Sequence, residues 1–177
     1  MTPLNVLKKI TEFTEKEIAP TILMQKELRR TGDVLKNVEP VVEYVHPAVT
    51  YGTIPHKNFQ PLDFQCPMIL WTFDEVADGK TYDEGRTIQV RGNVSAYSSE
   101  LYGDERLPDN KAVVDLMNVL ERIYIEFARR HVINGVGVKG EFSYGIYDGA
   151  YYPYAYGWIS FTAEIPRVLY DDIDLDL

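Results

Sequence analysis

The chain has one cysteine, Cys66, in 177 residues, so it has no internal disulfide and no Cys-x-x-Cys redox or metal pair. Cations are also scarce. Eighteen Lys and Arg against 27 Asp and Glu leave a net charge of -9, which argues against a sequence-reading nucleic-acid binder, although DNA can still slide past such a surface. No apolar run is long enough for a membrane span, and the opening MTPLNVLKKITEF does not resemble a signal peptide, so a soluble product made in a cytoplasm is expected. Phosphate-binding loops and Gly-x-Ser-x-Gly elbows do not occur. His46 and His56 have no ligand partner at helical spacing, and His131 sits beside Arg129 and Arg130, where a surface role is expected. Gly135, Gly137 and Gly140 follow a helical pattern, the wrong context for a dinucleotide fingerprint. No catalytic residue, metal or cofactor is expected, and the chain is not read as an enzyme.

Aromatic rings are plentiful. Thirteen tyrosines, two tryptophans and seven phenylalanines, in a chain that is 45% hydrophobic, fit either an aromatic β core or a surface that is covered on assembly. Thr2 and Pro3 predict a helix start, with Val6, Leu7, Ile10, Phe13 and Glu17 at helical spacing up to Pro20 and a further turn or two over Ile22–Leu28. Residues 34–65 form a proline-punctuated strand and loop insertion, in which VVEYVHPAVTY is an edge strand because Pro47 cannot donate to a central ladder. CPMILWTF, apolar on both parities, predicts a strand covered on both faces, with Cys66 as a buried hydrophobe. DEVADGKTYDEG reads as a solvated hairpin turn, since its acids lack EF-hand spacing. RTIQVRGNVSAY alternates, with Ile88, Val90, Val94 and Ala96 inward and Thr87, Gln89, Arg91, Asn93 and Ser95 on a wetter side, and pairs with the preceding strand as a long hairpin. After Pro108, with Asp109 as cap, Val113, Leu116, Met117, Leu120, Ile123, Tyr124 and Phe127 form one apolar stripe of a helix that Asn134-Gly135 ends.

The stretch VGVKGEFSYGIYDGAYYPYAYGWISFTAEI, residues 136–165, predicts a second hairpin. Val136, Val138, Phe142, Tyr144 and Ile146 share one parity. On the return run Ala155, Ile159, Phe161, Ala163 and Ile165 face inward, while Tyr154, Tyr156 and Trp158 face the other way beside Ser160, Thr162 and Glu164. Such a strand packs a core with one side and offers amphipathic rings with the other. Residues 167–177 are an acidic arm, either frayed or docked on a neighbouring subunit.

These elements give an α+β fold in one domain over residues 1–166: a mostly antiparallel sheet of about four to five strands, with an N-terminal helix and a long amphipathic helix packed on it, in the order α-β-β-β-α-β-β. In CPMILWTFDEVADG, RTIQVRGNVSAYSS, the single helix and GEFSYGIYDGAYYPYAYGWISFTAEIP, the chain resembles the tail terminator proteins of long-tailed bacteriophages, the family that includes the minor tail protein U of phage lambda. The resemblance covers most of the chain and is topological. YPYAYGWISFTAEIP is also similar to the last strand of minor tail proteins from phages of Gram-positive hosts. The insertion over 34–65 and the acidic end depart from the family pattern.

The resemblance implies a virion structural protein of the head-to-tail joint, made in the host bacterial cytoplasm. It would form a homohexameric ring that caps the tail tube, ends its polymerisation and docks to a head connector or stopper protein, with DNA passing through the lumen unread and no membrane involved. Tyr151, Tyr152, Tyr154, Tyr156 and Trp158 are expected at subunit or partner contacts, with His56, Phe59, Asp74, Glu75 and Tyr82 flanking them. Three other readings stay open. They are another neck, head-completion or tail-tube protein of the same virion, a small-ligand enzyme using Asp74, Glu75, Asp78 and His56, and a single-strand nucleic-acid binder stacking bases on Tyr154, Tyr156 and Trp158.

Overall fold

Thr2 and Pro3 start a helix as predicted: the Thr2 hydroxyl accepts from Asn5 N at 3.3 Å, and Pro3 occupies the first turn, where its missing N–H costs nothing. The computed structural model describes residues 1–27, 42–52, 66–79, 85–99, 101–102, 107–108, 110–148 and 152–165. Helix α1 is Pro3–Phe13, continued by a π-helical turn, Thr14–Ile18, and a 3-10 turn, Ala19–Thr21, that contains Pro20. Strands β1 (Met24–Gln25), β2 (Tyr44–Val45), β3 (Ala48–Tyr51), β4 (Met68–Ala77), β5 (Arg86–Tyr97), β6 (Leu101–Tyr102) and β7 (Leu107–Pro108) follow. Helix α2 (Lys111–Ala128) then leads into β8 (Val132–Ile133), β9 (Val136–Ile146) and β10 (Tyr154–Ile165).

The architecture is mixed α+β, two helices with a large curled sheet. The sheet order is β3-β4-β5-β10-β9-β8, antiparallel throughout except for β3 beside β4. β1 with β2 and β6 with β7 form two small ribbons. Its centre is the register of β5 on β10, unbroken from Tyr97 opposite Tyr154 to Arg86 opposite Ile165. Both predicted hairpins are present, β4 with β5 and β9 with β10.

Both helices lie on one face. Trp71, Phe127 and Phe161 meet there, with ring centroids 5.4 Å apart for Trp71–Phe127 and 5.0 Å for Phe127–Phe161, and Phe13 stands edge-on to Phe127 at 5.3 Å. The indole N–H of the fully buried Trp71 donates to Thr14 Oγ1 at 3.0 Å, and that hydroxyl donates to Ile10 O at 2.8 Å, so the π-helical turn satisfies the polar atom of the core's largest ring. A Cβ on Gly92 would come within 2.6 Å of the Trp71 ring, and one on Gly157 within 3.1 Å of Leu116 and Leu120. Two glycines in neighbouring strands thus let an indole and a helix settle onto the sheet.

Several local expectations give way to longer-range pairing. The segment Ile22–Leu28 is not helical at Met24–Gln25, because these residues pair with Tyr44–Val45. Of VVEYVHPAVTY only Ala48–Tyr51 forms the sheet edge; Tyr44–Val45 pairs with β1 in a separate ribbon, and the break falls at His46–Pro47, where proline removes a ladder donor. Asp74 and Glu75 belong to β4 and not to a turn: the ladder to β5 shifts register between Phe73 and Glu75, a bulge that lets the strand run on to Ala77. Helix α2 starts after Asn110, with no side-chain cap bond, while Asp109 lies outside the described residues. Its buried stripe is Ala112, Leu116, Val119, Leu120, Ile123 and Phe127, whereas Val113 and Tyr124 are each 36% exposed. Asn134 and Gly135 do not cap α2. Both have positive φ, 49° and 80°, and make the two-residue turn between β8 and β9.

Candidate functional site

The sheet's other face carries the predicted rings. Alternation along β10 turns Tyr154, Tyr156, Trp158 and Ser160 away from the helices, opposite Tyr97, Ser95, Asn93 and Arg91 of β5. Three short hydrogen-bonded groups tie this face together.

The first surrounds Tyr154. Its ring lies 5.4 Å from Tyr97 and stacks on Tyr156 at 6.1 Å with 11° between planes. Its hydroxyl donates to Glu27 Oε1 at 2.6 Å, and Glu27 Oε2 accepts from Cys66 N at 3.3 Å. Burial, then the bond to Glu27 and its charge, raises the Tyr154 hydroxyl well above the usual tyrosine range, and burial likewise raises Tyr156. Burial pushes the Cys66 thiol up to about 11, away from nucleophilic use, with Ser95 working against the shift and Glu27 adding to it. Ser95 Oγ stands beside that thiol, yet among the described residues no atom meets it in good hydrogen-bonding geometry.

The second surrounds Trp158. The Arg91 guanidinium lies 5.2 Å from the centre of the indole and binds Asp74 Oδ2 through Nη2 at 2.6 Å and Nε at 2.7 Å. The bond to Asp74 raises the Arg91 pKa further above its already high value, while burial works against it. On the opposite flank the ring runs along Gly145, where a Cβ would sit 3.6 Å from it. Trp158 is half-buried between them. The third group links Gln89 Nε2 to Ser160 Oγ and Thr162 Oγ1 to Gln89 Oε1 at 3.1 Å; nearby, Tyr147 Oη donates to Asn93 Oδ1 at 2.6 Å.

The structure brings Tyr154, Tyr156, Trp158, Asp74 and Glu75 onto this face, Glu75 through its register opposite Gln89. Tyr156 is the most open of the three β10 rings, 40% exposed. Tyr152, also exposed, donates its hydroxyl to Ser99 O at 3.0 Å at the head of β10. Tyr151, His56, Phe59 and Tyr82 lie outside the described residues, as does the arm from 167 to 177. Arg91 was visible in the sequence as the cation on the wet parity of its strand. Glu27 was not, because its role depends on Tyr154, which is 127 positions away.

Chemically this is a pinned surface. Asp74 is held by arginine, and Glu27 by a tyrosine hydroxyl and a backbone amide. His46 is held apart from it, its Nδ1 bonded to Ile22 O at 2.7 Å. Among the described residues no cluster of three or more His, Cys, Asp or Glu is placed to hold a metal ion, and no helix is long and apolar enough to cross a membrane. On the helix side, a cleft of about 360 Å³ runs between Ile22–Met24 and the α2 residues Asp115, Val119 and Arg122. The sequence matches no protein-family model, and no curated protein matches it.

Proposed function

We propose that the chain is a virion structural protein of the head-to-tail joint, working by binding and without catalytic turnover. Copies associate into a ring that caps the tail tube, stops its growth and docks to the head connector. This reading takes β3, β4, β5, β9 and β10 with the two helices as the framework of the ring subunit, the order α-β-β-β-α-β-β on which the resemblance to tail terminators rests.

One observation carries it: a sheet face not covered by the helices presents aromatic rings already fixed in place. Tyr154 is tied to Glu27, and Trp158 is clamped between Arg91 and Gly145. Rings ordered before contact lose little side-chain entropy on association, and tyrosine and tryptophan dominate buried interface centres. A negative overall charge suits a channel through which DNA passes without sticking. The test is native mass measurement of the protein alone and mixed with tail-tube protein. A closed ring of fixed stoichiometry that blocks further tube growth is expected; open-ended tubes would assign it to the tube instead.

A further inference from the structure

Lys9 of α1 and Asn134 of the β8–β9 turn hold each other by two reciprocal bonds. Lys9 Nζ donates to Asn134 O at 2.7 Å, and Asn134 Nδ2 donates to Lys9 O at 3.0 Å. Both frameworks behind the pair are fixed. Val6, Ile10 and Phe13 are buried on the inner side of α1, and Ile133 and Val136, paired across the turn, are buried in the core. Asn134 and Gly135 themselves are exposed. The ammonium also lies close to the next residue, since a Cβ on Gly135 would stand 3.5 Å from Nζ.

In Asn-Gly the following backbone nitrogen attacks the asparagine side chain readily, because glycine has no Cβ in the way. Of the chain's asparagines only Asn134 precedes glycine; Asn5, Asn93 and Asn118 precede valine, whose branched Cβ crowds the attacking nitrogen. The attacking form is the deprotonated Gly135 nitrogen, whose negative charge is shared with Asn134 O across the peptide bond. That oxygen is the one Lys9 holds. The bond strengthens as charge builds on the oxygen, so the ammonium stabilises the transition state more than the ground state. The bond from Asn134 Nδ2 works against the reaction, since it must break before Cγ can swing to the nitrogen. As a neutral, exposed bond it slows attack by about tenfold at most, whereas a charged donor on a developing charge is worth about ten- to a hundredfold.

We propose that Asn134–Gly135 is a site of self-modification, with Lys9 as its activating group. Gly135 N loses its proton to solvent and bonds to Asn134 Cγ; the Cγ–Nδ2 bond breaks, and the nitrogen takes up a proton and leaves as ammonia. Water then opens the five-membered imide at either carbonyl, giving aspartate or isoaspartate at this position. One water enters and one ammonia leaves. Both products lack Nδ2, so the bond to Lys9 O is lost. The isoaspartyl form also adds a main-chain atom to a two-residue turn, which disturbs the pairing of β8 with β9. The modification thus unlatches α1 from the turn. This inference does not depend on the ring reading.

The test follows Asn134 by peptide mass and an isoaspartate assay while the full chain is incubated in mildly alkaline buffer, folded and in urea. Folded, the unchanged chain should convert about tenfold faster than Lys9→Met, which keeps the stem and loses the ammonium, and Lys9→Arg should restore most of the rate. In urea, where the two residues are apart, all three should convert alike. A folded Lys9→Met chain that converts as fast as the unchanged one, or faster, would overturn the proposal. So would an Asn134 that stays intact in the folded unchanged chain while the unfolded chain converts, a comparison that needs no variant to fold.

Discussion

The two faces of one sheet hold their aromatic rings in different ways. On the helix side, Trp71, Phe127 and Phe161 are fully buried and touch one another, and the indole N–H of Trp71 is bonded to Thr14. On the other side Trp158 and Tyr156 keep part of their surface open, and Tyr154 and Trp158 are held by single polar contacts, to Glu27 and Arg91. Burial fixes the first set as a by-product of stability. The second set is fixed while still exposed, which contributes little to stability and leaves surface for a partner.

The largest contrast should come from the two tryptophans. Trp71→Ala removes a buried ring and its bond to the Thr14 hydroxyl, with an expected loss of about 3–5 kcal/mol in urea unfolding. Trp158→Ala should cost about 1 kcal/mol or less, because the cation–ring contact it loses is partly solvated. Equal losses would erase the distinction between the faces. Gly92→Ala comes next: its Cβ would press into the Trp71 ring, at about 1–3 kcal/mol, detected by the same unfolding curves and by a changed near-ultraviolet signal from Trp71.

Glu27→Gln sharpens the outer face. It replaces a charge-assisted bond to Tyr154 with a neutral one, at about 1 kcal/mol, and Tyr154 should then titrate closer to the ordinary tyrosine value in an ultraviolet pH titration. Alkaline pH tests the same corner. The folded Cys66 thiol keeps its proton up to about 11, against an ordinary value of 9.0, so its contribution is full below pH 9 and falls away as pH rises towards 11. Cys66→Ala should flatten the decline of the unfolding midpoint across that window. Arg91→Lys is the smallest change, within about 1 kcal/mol in stability, and is read as a shift in Trp158 fluorescence once the guanidinium leaves the ring.

Period-2 alternation revealed β5, β9 and β10, and the Thr2-Pro3 start and apolar spacing revealed α1 and α2, because those patterns are written locally. The errors lie where a local signal serves two structures. Asn-Gly favours positive φ whether it caps a helix or turns a hairpin, and only the pairing of β8 with β9 decides between them. Met24-Gln25 looks helical until Tyr44-Val45 is brought beside it. The α2 stripe holds at Leu116, Leu120, Ile123 and Phe127 and differs on its flank, since Val113 and Val119 are equally apolar and only the sheet selects which is buried. On the candidate face the rings were legible and their anchors were not. Alternation assigns a side, whereas Glu27 on Tyr154 and Asp74 on Arg91 are meetings across strands.

The claim that the outer aromatic face is covered by another protein subunit is tested most directly by native mass measurement across concentrations, with and without tail-tube protein, for the unchanged chain and a Tyr156→Ala/Trp158→Ala variant. The account predicts a closed ring for the unchanged chain. It predicts loss of that ring in the variant, with little change in unfolding midpoint. A chain that stays monomeric at every concentration and in the mixture, or a variant that assembles as well as the unchanged protein, would contradict it.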